Sequence, residues 1–213
     1  MRCVARGWTM LLLSTIWLSA IGLAMAGEPT DLIRQTTDQV LKILEDPQFQ
    51  APDRQAEKQE RLHKLADQVF DWQEIARRAL AVHWRQRTPQ EQQEFVGLFK
   101  DLVETTYLNR LESAVQEKRE IQYVAEQVDK SRAVVKTNVV TRRNQQVPID
   151  YVLHQVDGRW LIYDVLVEGI SLVNNYRSQF NRIITSSSYN ELVQKMKTRQ
   201  GNELSGSPER KVQ

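Results

Sequence analysis

The chain has a single cysteine, Cys3, and only three histidines, His63, His83 and His154, set far apart in sequence. One cysteine excludes an internal disulfide, and isolated histidines without Cys or carboxylates at ligand spacing give no metal motif. Glycine is also scarce, with eight in 213 residues, and none of them forms a loop that could cradle a nucleotide phosphate. Ser171, in Glu168-Gly169-Ile170-Ser171-Leu172-Val173, lacks the second glycine of a nucleophile elbow and reads as a polar residue in a helix's first turn. No catalytic residue, metal or cofactor is therefore expected. Neither sign of charge is in real excess, at 29 Lys+Arg against 27 Asp+Glu, which argues against a nucleic-acid carrier.

What is present begins with a targeting pattern. Arg2 and Arg6 precede an apolar run from Trp8 to Leu23 that ends in Ala24-Met25-Ala26, so residues 1–26 read as a secretory signal peptide cleaved after Ala26. A membrane anchor is the rival reading, but the run is shorter than the about 20 residues of a span and is interrupted by Ser14, Thr15 and Ser19. Cleavage removes Cys3, too early for a lipoprotein, together with two arginines and no acids, so Lys+Arg falls to 27 and balances the acids. Residues 27–200 are long enough for one domain with a real core. Residues 201–213 are Gly, Ser, Pro and charge and read as a disordered tail.

The stretch from Val147 to Ile184 organises that domain. Two β-rich runs flank Asp157-Gly158, a pair suited to a type I′ hairpin, and the second run, Arg159 to Val167, is apolar on both faces except at Asp164. It is expected to be a central strand, from which a helix emerges after Gly169. Alternation at Ile121 and Tyr123 and from Ala133 to Thr141 adds two more strands. Helices are expected before them: Asp31–Glu45 capped by Thr30, one from near Pro52 to Phe70, and one opened by Asp71 and running to about Trp84. The next is a long helix whose start, Thr88-Pro89-Gln90-Glu91, is a capping box. Ser188-Tyr189-Asn190-Glu191 opens the last one. The fold class is α+β: a four-stranded antiparallel meander covered by helices from both the N- and C-terminal parts.

Several ordered blocks resemble the MlaC family, also called the toluene-tolerance auxiliary component. They are Phe70-Asp71-Trp72-Gln73-Glu74-Ile75-Ala76-Arg77-Arg78-Ala79-Leu80, His83-Trp84-Arg85, Thr88-Pro89-Gln90-Glu91, Glu94-Phe95-Val96-Gly97-Leu98-Phe99, and Trp160 through Val173 into Asn175-Tyr176-Arg177-Ser178-Gln179-Phe180. The likeness covers about residues 30–199. One departure is Ala81, where the family's glycine is expected. The resemblance implies a periplasmic phospholipid carrier working between an outer-membrane lipoprotein complex and an inner-membrane MCE-type ABC transporter. It also implies that sheet and helices enclose an apolar pocket for acyl chains.

With such a pocket implied, the apolar faces nominate its walls. Ile75, Ala79, Leu80, Phe95, Phe99, Leu102, Val103 and Tyr107 supply the helical wall, Tyr151, Leu153, Tyr163, Val165 and Val167 the sheet wall, and Val173, Tyr176 and Phe180 the closure. Arg177, with Asn174 nearby, is the candidate head-group contact, because a planar guanidinium suits a phosphate; a surface ion pair is the plain alternative. The protein is expected to be a monomer. Two other functions stay open: a carrier of hopanoid or another apolar lipid, and a periplasmic adaptor with a filled core.

Overall fold

A computed structural model describes residues 28–49 and 51–198. The signal peptide, Cys3 and the tail of residues 201–213 lie outside the described residues. The first helix, α1, is Glu28–Glu45. Two single 3-10 turns, Pro47–Phe49 and Pro52–Arg54, lead into α2, Gln55–Val69. Helix α3 is Trp72–Leu80, a 3-10 segment covers Ala81–Gln86, and α4 is Pro89–Glu117. The strands are β1 Lys118–Asp129, β2 Arg132–Thr141, β3 Gln146–Val156, β4 Arg159–Val167 and a two-residue β5, Ile170–Ser171. Helices α5, Leu172–Ser186, and α6, Tyr189–Lys197, complete the order.

The sheet is an antiparallel meander in the order β1-β2-β3-β4-β5. Asp157 and Gly158 both have positive φ, 49° and 77°, as a type I′ turn requires. A second turn of this kind corrects the expected four strands to five. Glu168 and Gly169, at φ 51° and 79°, fold the chain back so that Ile170 pairs with Val167 and Ser171 with Leu166. Ser171 is accordingly the N-cap of α5 rather than part of its first turn, its hydroxyl accepting from the Asn174 N–H at 3.0 Å.

Side-chain chemistry sets the other helix starts. Thr88 and Glu91 form the reciprocal box, at 2.8 and 3.2 Å, and Asp71 and Ser188 cap α3 and α6. Thr30 does not cap α1, which begins two residues earlier; its N–H donates instead to Glu126 Oε2 at 2.8 Å, tying the helix start to β1. Helix α3 stops at Leu80, short of Trp84, because Ala81 takes φ 51° and ψ −121°.

Two apolar clusters result. One joins α3, α4, α5 and α6 around Tyr163 of β4. The other joins Ile33 of α1 and Val69 of α2 to Ala133, Val135, Leu153 and Ile162 of the sheet. The chain passes from the second to the first at Phe70, which bridges Ile162 along the edge of β4, with the Asp71 N–H donating to the Ile162 carbonyl at 2.9 Å. The long α4 packs mainly on α3, α6 and α1 rather than across the strands.

Candidate functional site

The helical cluster is closed. Phe95, Phe99, Tyr176 and Phe180 are each 1% exposed or less and fill the space with edge-on rings, Phe99 lying 4.9 Å from Tyr176 and 5.1 Å from Phe180, and Phe95 lying 5.6 Å from Phe180. Such ring geometry adds stabilisation beyond area burial alone. Ile75, Ala79, Leu80, Leu102, Val103, Tyr163 and Val173 belong to the same cluster, and Tyr107 packs at its margin. The structure therefore brings together most of the nominated wall residues, in mutual contact. Tyr189, Leu192, Val193 and Met196 of α6 complete this cluster; their spacing identified a helix but not where it docks.

The remaining nominated residues lie on one face of the sheet. Residues directly opposed in an antiparallel ladder share a face, so the register defines cross-strand rows. Ala133, Leu153 and Ile162 form a buried row, and Val135, Tyr151 and Val165 the next. Beyond them come Tyr123, Thr137, Ile149 and Val167, then Ile121, Val139 and Val147. In these two rows only Thr137 is buried; the others are half-buried, and Val167 is 42% exposed. The Thr137 hydroxyl donates to the Ile149 carbonyl at 2.9 Å, so it puts no unpaired donor on this surface. The face is sealed at one end and open at the other.

Tyr151 marks the change between the two ends. It keeps accessible surface, yet burial, with the Tyr123 phenol as a second influence, pushes its hydroxyl up to about 12.

Helix α1 crosses this face from β4 to β1. Trp160 Nε1 donates to Glu28 Oε2 at 3.3 Å at the start of the helix, and nearly two turns later the Arg34 guanidinium lies over the Tyr123 ring, 4.2 Å from its centroid. Between helix and strand is a cleft of about 250 Å³ lined by Arg34, Thr37, Asp38, Leu41, Ile121 and Tyr123. None of these residues was nominated from the sequence. Arg34, Thr37 and Leu41 do recur at helical spacing, but a polar stripe on an amphipathic helix looks the same whether it faces a cleft or open solvent.

Asn174 and Arg177 do not line this cleft. Asn174 is exposed in the first turn of α5. Arg177 Nε donates to the Arg78 carbonyl at 3.0 Å, holding α5 to the end of α3, while the Arg78 guanidinium covers Tyr163 at 4.2 Å. The histidines are each tied to another element: His63 to Glu104, His83 to Asn181, and His154 to Asp71 at 2.9 Å. Among the described residues no cluster of three or more His, Cys, Asp or Glu could hold a metal, and no helix is long and apolar enough to cross a membrane.

Comparison with known proteins agrees with the architecture. Residues 34–198 match the MlaC protein family. The chain is 26% identical over 156 residues to the toluene tolerance protein ttg2D of Pseudomonas putida, covering 73% of this chain and 72% of that one. It also superposes with a TM-score of 0.67 on the solved structure of a phospholipid-binding protein from Ralstonia solanacearum in complex with a phospholipid, at 25% identity over 82% of this chain and 97% of that chain. With the match spanning sheet and helices alike, the chain belongs to the MlaC family.

Proposed function

We propose that this protein is a periplasmic phospholipid carrier, exported by its N-terminal signal and passing lipid between an outer-membrane lipoprotein complex and an inner-membrane MCE-type ABC transporter. The carrying observation is the half-open apolar end of the sheet face, where Ile121, Tyr123, Val139, Val147, Ile149 and Val167 keep surface that none of the described residues covers fully. Contiguous apolar surface of this kind is expensive in water and suits acyl chains. The phospholipid held by the Ralstonia relative supports the choice of ligand. Val165, Tyr151 and Leu153 continue the wall inward, and Tyr107, at the margin of the helical cluster, would face the chains.

Energetics favour exchange over release. Two acyl chains carry roughly 30 methylenes, and removing them from water is worth on the order of 24 kcal/mol at about 0.8 each. That exceeds the roughly 18–21 kcal/mol ceiling of noncovalent affinity, so loss to free solution is negligible. A bilayer already keeps the chains dry, and transfer between bilayer and protein is close to neutral. No nucleotide site on the carrier is needed, and the proposed role is not enzymatic.

The cleft of about 250 Å³ is smaller than the roughly 300–1,000 Å³ of ordinary small-molecule sites. A two-chain lipid would need the open rows beside it as well. The closed aromatic cluster favours a second reading, an adaptor with a filled core that acts by contact alone. Native mass spectrometry of protein purified without detergent, followed by organic extraction, separates the two. Diacyl phospholipid in the extract is the expected result, a hopanoid would change the cargo, and a clean apo mass that persists after mixing with vesicles would favour the adaptor.

A further inference from the structure

The cleft between α1 and β1 carries one cation, one anion and an aromatic ring in a space too small for acyl chains but adjoining the open apolar rows through Ile121 and Tyr123. We infer that it seats a zwitterionic phosphodiester head group, with Arg34 taking the phosphate and Asp38 the ammonium. The inference rests on the carrier reading and specifies the chemistry of its cargo.

Arg34 stacks its guanidinium on Tyr123, and this uses the flat face of the group. The N–H donors lie in the guanidinium plane, so the fork that binds phosphate oxygens in pairs stays available. Among the described residues no hydrogen bond or ion pair occupies it, and none occupies the Asp38 carboxylate. The two side chains are one helical turn apart, which puts their Cβ atoms about 5–6 Å from each other on one face. They are the right sequence distance for an i,i+4 ion pair, yet each is exposed and neither closes on the other. A phosphate and an ammonium joined by two carbons present opposite charges at a similar separation. Thr37, between them on the helix, offers a hydroxyl, and Leu41 with Ile121 supplies the apolar end where the chains would depart.

An anionic head group without the ammonium would meet Asp38 as a like charge. The cleft should therefore discriminate between lipids of the same chains. The test loads purified protein from vesicles of equal phosphatidylethanolamine and phosphatidylglycerol and measures the ratio extracted. Wild type is expected to enrich the ethanolamine lipid about threefold, the scale of one exposed charge pair. Asp38→Asn should bring the ratio close to that of the vesicles, Asp38→Lys should invert it, and Arg34→Gln should lower retention of both lipids. Both positions are exposed, so unfolding midpoints should move little, Arg34→Gln losing only the contact with Tyr123. Glycerophosphoethanolamine, the same head group without chains, should not compete at equal concentration. Normal loading with one ratio in wild type, Asp38→Asn and Asp38→Lys would overturn the inference and leave the carrier reading intact; preferential capture of the chainless ester would overturn it as well. No loading of any lipid would remove both.

Discussion

Asp164, the one acid on strand β4, accepts the N–H of Val173 at 3.1 Å through Oδ1, while its Oδ2 takes the hydroxyl of Ser171. Ser171 in turn accepts from Asn174, so a strand carboxylate and a hydroxyl satisfy the free N–H groups at the start of α5. This relay fixes the angle at which α5 leaves the sheet and so delivers Val173, Tyr176 and Phe180 to the helical cluster.

Removing the carboxylate should therefore cost more than removing the cap. Asp164→Ala is expected to destabilise by about 2 kcal/mol, or roughly 4–8 °C in the unfolding midpoint, as loss of hydrogen bonds to a charged group implies. Ser171→Ala should cost about 1 kcal/mol. Because the two side chains share one network, the double variant should lose less than the sum. Strict additivity in thermal melts would mean that the relay does not act as a unit.

Ala81 is a strained site with a simple remedy. At φ 51° and ψ −121° its Cβ is disfavoured, in a region where glycine costs nothing. Such strain is of order 1–3 kcal/mol, offset in part by the extra unfolded-state freedom of glycine. Ala81→Gly should then raise stability by about 1 kcal/mol and the midpoint by roughly 2–4 °C. A lower midpoint would contradict the backbone geometry at the end of α3.

Much of this fold was readable because burial imposes a period. The stripe Phe95, Phe99, Leu102, Val103 and the alternation Ala133, Val135, Thr137 are both buried in the structure as their spacing implied. Asp157-Gly158 and Thr88 with Glu91 were legible because their chemistry is local. Strand β5 was not, since two residues carry no period and the turn that makes it puts Glu168, an uncommon choice, at positive φ. Nor does a period say what covers an apolar side chain. Phe99 and Val167 were both nominated as wall residues, but one is sealed by other rings and the other lies on the open rows.

Glu104 gives the domain a pH dependence of known sign. Its side chain is 4% exposed on α4, and burial raises its carboxyl above the ordinary value even though His63 Nδ1 lies at 2.7 Å and Lys100 also acts to lower it; Asp67 adds to the rise. The folded state thus holds this proton to higher pH than the unfolded chain does. Its contribution is fully present in acid, below the ordinary glutamate value, and is lost as pH rises through the folded value. Glu104→Gln keeps a neutral side chain at every pH. The midpoint of the variant relative to wild type should climb as pH rises above the ordinary glutamate value, the side on which the loss occurs. A difference independent of pH would show that Glu104 ionises normally in the fold.

The last prediction separates the wall that holds lipid from the core that holds the protein together. Ile149 is half-buried on the open rows, so Ile149→Trp adds bulk where acyl chains would lie and has room to do so without displacing packed neighbours. It should cut lipid per protein severalfold, on extraction after vesicle loading, with little change in the melt. Leu102, 8% exposed within the helical cluster, has no such room. Leu102→Trp should overpack that cluster, cost about 1–3 kcal/mol, and leave loading of the folded fraction close to wild type. The reverse pattern, with loading lost in Leu102→Trp and kept in Ile149→Trp, would place the acyl chains among Phe95, Phe99, Tyr176 and Phe180. In that case the closed aromatic cluster is a pocket that opens only for its ligand, and α5 or α6 is the element that moves.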